Sequence, residues 1–147
     1  MAVLAMAAAA HQSALAQASV AGKWVTEFDI GIRNENGVET SMGKRQATIT
    51  LTLKGDSVSG TWQAAAVEGS TPAPVSLKGT IAGGKVKLQS DPVEHTVRMN
   101  DDEQQVKIVS YYTFELHGDL LSGTTRNSSV DGSFNGPDRE FSAKRSK

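Results

Sequence analysis

The sequence predicts an all-β fold, an up-and-down antiparallel β-barrel of eight or nine strands, with a two-sheet β-sandwich as the alternative. Three observations predict it. Leu53-x-Gly55-Asp56-x-x-Ser59-Gly60-Thr61 recurs as Leu116-x-Gly118-Asp119-x-x-Ser122-Gly123-Thr124, and each copy reads as two strands joined by a tight Gly-Asp turn. From Gly22 onward the pattern has period two, with turn residues at short, fairly regular intervals. Counting register outward from the turns sets Gly60, Gly79 and Gly123 on the inner face opposite Leu51, Leu88 and Phe114. A strand glycine gives up packing area and costs up to about 1 kcal/mol of backbone entropy, so its recurrence requires a geometric benefit. Coiling the strands sharply into a closed barrel supplies one, and closure also removes exposed edges.

The first strand runs from Lys23 to Ile32, with Trp24, Thr26, Phe28, Ile30 and Ile32 on one face and Val25, Glu27, Asp29 and Arg33 on the other. Asn36-Gly37 is a strong hairpin signal. The next strand turns Ala47, Ile49, Leu51 and Leu53 inward and Thr48, Thr50 and Thr52 outward; beyond Gly55-Asp56 the chain returns with Val58, Gly60, Trp62 and Ala64 inside. Residues 65–74 read as a loop, and strands from Val75 to Thr80 and from Val86 to Leu88 flank Gly83-Gly84. Asp91-Pro92 breaks the ladder, because proline donates no hydrogen bond, ahead of a short strand with Val93, His95, Val97 and Met99 in phase. The acidic segment 100–104 makes a turn. A long strand from Val106 to Leu116 follows, with Val106, Ile108, Tyr112, Phe114 and Leu116 on its apolar face and Ser110 as the exception. Gly118-Asp119 leads into Leu120 to Arg126, a glycine-rich loop covers 127–137, and Arg139 to Ala143 closes the chain. Two-residue turns fix the pairing: Leu53 with Val58, Ile49 with Trp62, Leu116 with Leu121, Tyr112 with Thr125, and Ile81 with Val86.

The bulk numbers narrow the function classes. With 147 residues, 38% hydrophobic and 21% charged, one globular domain is the default. A net charge of −1, with charges scattered, provides no field for nucleic acid or an anionic membrane. The first eighteen residues carry no acidic or basic side chain, hold the apolar run from Val3 to Ala10 and end on Ala16-Gln17-Ala18. That small-x-small ending reads as a secretory signal peptide, residues 1–18, cleaved after Ala18 to leave a barrel domain of residues 19–147. The alternative is an Ala-rich amphipathic helix kept in the mature chain; the run is too short to insert in a bilayer as a span. There is no cysteine, which excludes disulfides, thiol nucleophiles and a lipidated cysteine, and fits a bacterial periplasmic or secreted protein.

Gly22-Lys23-Trp24, the repeated Leu-x-Gly-Asp-x-x-Ser-Gly-Thr element and the terminal Phe141-Ser142-Ala143-Lys144-Arg145 resemble the lipocalin-like, calycin-type barrels of exported bacterial proteins, many without an assigned function. The resemblance implies that Lys144 or Arg145 packs over Trp24 at a closed barrel end as a cation-π pair. Avidin-like barrels share the Gly-x-Trp and Ser-Gly-Thr phrases, but only Trp24 and Trp62 are present, so the tryptophan set that walls a biotin site is missing.

Diagnostic chemistry is sparse. Of the histidines beyond the leader, His95 follows the inward phase of Val93 and His117 the outward phase of Glu115, and no His-Glu-x-x-His spacing occurs, so no metal or other cofactor is expected. No Gly-x-Ser-x-Gly is present; the nearest phrase, Ser59-Gly60, repeats as Ser122-Gly123, which a unique nucleophile would not do. Gly83-Gly84 lacks the helix and lysine of a phosphate loop. The inward aromatics Trp24, Phe28, Trp62, Tyr112 and Phe114 alternate with small or polar Thr26, Gly60, Ser110, Gly123 and Thr125. Such a mixture either leaves a ligand cavity or makes a filled core in which glycines admit the rings.

The leading expectation is a non-enzymatic barrel that binds a small apolar or amphipathic ligand at its mouth through Trp62, Tyr112, Phe114 and Thr125, or serves as an envelope accessory module. A second is a small isomerase- or hydrolase-like enzyme using His95 with Tyr111 or Tyr112. A third is an interaction protein acting through its outer threonines, Thr48, Thr50, Thr52 and Thr61. No nucleic-acid partner is expected; oligomeric state is left open.

Overall fold

The computed structural model describes residues 20–30, 32–99 and 102–146. The expected leader and the centre of the expected turn at 100–101 lie outside the described residues, as do the side chains of Ile32, Arg33, Val97 and Met99. The strands are β1 (Gly22–Asp29), β2 (Ile32–Glu35), β3 (Val38–Ser41), β4 (Lys44–Lys54), β5 (Ser57–Ala64), β6 (Val75–Ala82), β7 (Lys85–Ser90), β8 (Val93–Met99), β9 (Asp102–His117), β10 (Leu120–Ser129) and β11 (Arg139–Arg145). Eight of them, in the order β1, β4, β5, β6, β7, β9, β10, β11, close an antiparallel barrel when β11 returns to β1. β8 lies outside the ring, and β2 and β3 form a separate two-stranded hairpin.

Every pairing counted from the turns is present: Leu51 faces Gly60 and Ile49 faces Trp62, Phe114 faces Gly123 and Tyr112 faces Thr125, and Gly79 faces Leu88. The turn chemistry explains this fidelity. Gly55 (φ 63°) and Gly118 (φ 64°) take the first central position of their turns, the one that demands positive φ in a type II′ hairpin. Asn36-Gly37 (54°, 81°) and Gly83-Gly84 (59°, 79°) have both central residues positive, as type I′ requires.

Several boundaries differ from expectation. β1 stops at Asp29 rather than Ile32, and Ile30 is 53% exposed. Residues 102–104, expected in a turn, already belong to β9. β10 continues to Ser129, into the expected loop. β8 is the continuation of β7: Gln89 faces Tyr111 and Val93 faces Ile108, so Ser90, Asp91 and Pro92 oppose only Val109 and Ser110. This is a β-bulge, set by Pro92 together with contacts to the neighbouring strands. Pro92 cannot donate, the Asp91 amide turns to Ser76 O of β6 (2.9 Å), and the Ser110 amide donates to Ser90 Oγ (2.9 Å). Beyond the bulge, β8 and the first part of β9 run past the barrel rim.

The two ends of the barrel are therefore unlike. One end carries the two-residue turns β4–β5, β6–β7 and β9–β10. It is sealed by Trp24, fully buried, whose indole Nε1 donates to Val20 O (3.0 Å) and whose ring lies 4.2 Å beneath the Arg145 guanidinium. Of the two basic residues that the resemblance offered, Arg145 takes the place. The other end carries every longer connection: the β2–β3 hairpin, residues 65–74, the β8–β9 extension and residues 130–138. Between them Trp24, Ile49, Leu51, Val58, Leu77, Ile81, Val86, Leu88, Phe114, Leu121 and Ala143 fill the interior.

Candidate ligand-binding cavity at the open end

The core does not fill the barrel to the open end. A cavity of about 480 Å³ remains there, within the 300–1,000 Å³ range of small-molecule sites. Its floor is a chain of rings. Phe28 meets Trp62 edge-on (5.4 Å), Trp62 stacks with Tyr112 (5.9 Å), and Tyr112 meets Phe141 edge-on (5.3 Å). The packing follows from strand period: each ring sits two residues, or a multiple of two, from a core residue on its own strand.

Of the residues expected to bind ligand, Trp62, Tyr112 and Thr125 lie in the cavity wall. Phe114 does not. It is 2% exposed, one step deeper on β9, and packs on Phe141 (5.7 Å) as part of the core. Both readings of the inward aromatics thus apply, at different heights: filled below, open above.

The wall also has polar members. Ser110 Oγ donates to Asn127 Oδ1 (2.7 Å). Burial pushes the Tyr112 hydroxyl up to about 12, so it stays protonated at neutral pH and serves as a hydrogen-bonding group. His95, exposed on β8, reaches the rim, while His117 sits beside the turn at the sealed end, so the two histidines are at opposite ends of the barrel.

Sequence reasoning missed Arg45 and Arg139. Both are in the inward phase, Arg45 with Ala47 and Ile49, Arg139 with Phe141 and Ala143. Arg139 is neutralised by Glu39 on β3 through two hydrogen bonds (2.8 and 3.1 Å). Arg45 has no ion pair among the described residues. Its Nη2 donates to Ala65 O (2.6 Å), its guanidinium lies 6.0 Å from the Phe28 ring centre, and its Nε is buried without a hydrogen-bond partner. Leaving a buried donor unpaired costs about 1–3 kcal/mol, more for a charged group.

The wall has a seam on one side. β11 pairs with β1 only where Trp24 faces Arg145 and Val25 faces Lys144, whereas β1 pairs with β4 along its whole length. Above Val25 the strands part. Thr26, 4% exposed, spans the gap by donating its Oγ1 to Ser142 O (2.6 Å). A second depression, which shares Thr26, Glu27, Phe28, Asp29, Arg139, Glu140 and Phe141 with the cavity, follows this seam. The β2–β3 hairpin straps the seam's upper end. Its base is tied by Ser41 Oγ to Asp29 (2.6 Å), and Glu39 reaches Arg139 at the start of β11.

The strap should respond to pH. Arg139 holds the Glu39 carboxyl below its ordinary value, so the ionised form favours the docked hairpin. Its contribution is complete above the ordinary carboxylate range and is lost as pH falls through the lowered value. Amide exchange in β3 should accelerate modestly in acid, and in Glu39→Gln at neutral pH, relative to β4. An exchange rate indifferent to both changes would show the pair to be idle, as many exposed ion pairs are.

Comparison with protein-family models, curated proteins and solved structures finds no match to this chain, so the site is read from its own geometry.

Proposed function

We propose that the protein is an exported, non-enzymatic barrel that binds a small apolar or amphipathic molecule at its open end. The observation that carries the reading is the cavity above the ring floor of Phe28, Trp62, Tyr112 and Phe141, at the end of the barrel opposite the Trp24 seal. The connections around it expose Ile30, Val38, Met42, Val67, Val130 and Phe134, an apolar rim suited to a poorly soluble ligand. Export rests on the apolar run from Val3 to Ala10 and the Ala16-Gln17-Ala18 ending. Recovery from the periplasm or medium with an N-terminus at Ser19 would support it, and cytosolic retention of the full chain would refute it.

Binding has a built-in reporter. Trp24 is sealed from solvent, whereas Trp62 is half-buried in the cavity wall, so ligand-dependent change in tryptophan fluorescence arises from Trp62. Titration with uncharged probes, 2-naphthamide and octanamide, is expected to give a saturable change. Thr125→Trp, which fills the cavity, should weaken binding by about tenfold or more, equivalent to about 1.4 kcal/mol. No saturable response to any probe, charged or neutral, would overturn the reading.

A further inference from the structure

We infer that the ligand is an anion, specifically a monocarboxylate with an apolar body, and that Arg45 is its anchor. The inference rests on the binding function proposed above and names the ligand class of the same cavity. Arg45 points inward from a strand whose next three inward positions, Ala47, Ile49 and Leu51, are all buried apolar core. An arginine in that phase is unusual unless its charge is answered, because a cation at the edge of an apolar interior loses hydration. Here one nitrogen is satisfied by Ala65 O and another, Nε, is buried with no partner.

The neighbouring groups do not answer it. Arg139, the other inward cation at this end, is occupied by Glu39. Glu27, Asp29 and Glu140 reach the rim from the outward phases of β1 and β11 and are exposed; Asp29 accepts from Ser41, and none is an ion-pair partner of Arg45. What remains is an arginine with no direct ion pair among the described residues, beside a floor of rings.

The chemistry of the donor selects the class. An arginine offers parallel N–H donors along an edge of its planar guanidinium, and a carboxylate presents two oxygens at the matching spacing. One negative charge balances one cation, whereas a phosphate dianion would leave one charge unanswered. Ser110, Thr125, Asn127 and the Tyr112 hydroxyl can meet further polar atoms, and the ring floor takes the apolar body.

The test pairs acids with their uncharged isosteres: 2-naphthoate against 2-naphthamide and octanoate against octanamide, at neutral pH, by Trp62 fluorescence and calorimetry on the mature chain. Each acid is expected to bind at least about tenfold tighter than its amide. Arg45→Met should erase that preference, so that acid and amide bind alike, and Arg45→Lys should retain part of it, since charge persists without the fork. Near-UV circular dichroism of the sealed Trp24 checks that the variants fold, and the acid-amide comparison in the unaltered protein stands without them. If acid and amide bind equally, or the preference survives Arg45→Met, the carboxylate assignment is overturned while cavity binding stands. If none of the four compounds binds, both fall.

Discussion

Gly79→Ala is expected to prevent stable folding of the barrel, with Gly60→Ala and Gly123→Ala close behind. A Cβ on Gly79 would sit 1.7 Å from Lys87 O, 2.7 Å from Lys87 C and 2.9 Å from Leu88 Cα; on Gly60 and Gly123 it would meet Thr50 O and Thr113 O, each at 1.9 Å. All of these obstacles except a Leu51 methyl near Gly60 are main chain of the neighbouring strand, so no rotamer change relieves them. The strands must separate, and a ladder around a closed barrel has no free edge toward which to shift. Ordinary overpacking costs about 1–3 kcal/mol where side chains can yield. Against unyielding backbone the loss should be about 4 kcal/mol or more, most of the stability of a typical domain. Urea unfolding checks this, with Gly55→Ala as the control. That turn glycine has open space around it and positive φ, so alanine there should cost only about 1–2 kcal/mol. If Gly79→Ala lost no more than Gly55→Ala, the close approach of the strands would not be what selects glycine.

The same glycines show why so much of the fold was legible. A hairpin joined by a two-residue turn has one register, and three such turns were visible as Gly55-Asp56, Gly83-Gly84 and Gly118-Asp119. From there, counting by twos located the inward face of β4, β5, β6, β7, β9 and β10. What was not legible depended on tertiary context. The break after Asp29 accompanies the β2–β3 hairpin, at whose base the Ile30 amide donates to Gly43 O (3.0 Å). The β7–β8 bulge depends on Asp91 finding an acceptor on β6, which no local pattern reveals.

The site was legible in part for a similar reason. Trp62, Tyr112 and Thr125 could be set on the inner face because their hairpins have a fixed register, and they line the cavity. Phe114 was placed one layer too high, because period two gives the face of a strand but not the depth along the barrel axis. Arg45 had a visible signal: stepping back two residues from Ala47 keeps the inward phase and arrives at an arginine. Hydropathy reasoning ends a core run at the first charge, and so passes over a charged residue that continues the inward phase.

Trp24→Ala should cost about 3–5 kcal/mol, the usual toll for removing a fully buried large aromatic. The residue ties three parts of the chain together at the sealed end. Its indole N–H holds Val20 O ahead of β1, and its face receives Arg145 from β11. Arg145 in turn donates from Nε to Asp119 of the β9–β10 turn (3.1 Å) and from Nη1 to Ala21 O (3.4 Å). Because β1 and β11 pair only at Trp24 and Val25, this cluster carries much of the barrel's closure. A double-mutant cycle separates the pair from simple packing. Trp24→Leu removes the ring and Arg145→Gln the charge, and their coupling should be about 0.5–2 kcal/mol if the guanidinium acts on the ring face. Additive losses would mean that Arg145 closes the barrel without acting on the ring face. Neither substitution touches the cavity wall, so both variants, while folded, should still show the Trp62 response to 2-naphthoate. A variant that kept its fold but lost that response would mean that the sealed end and the open end do not act independently.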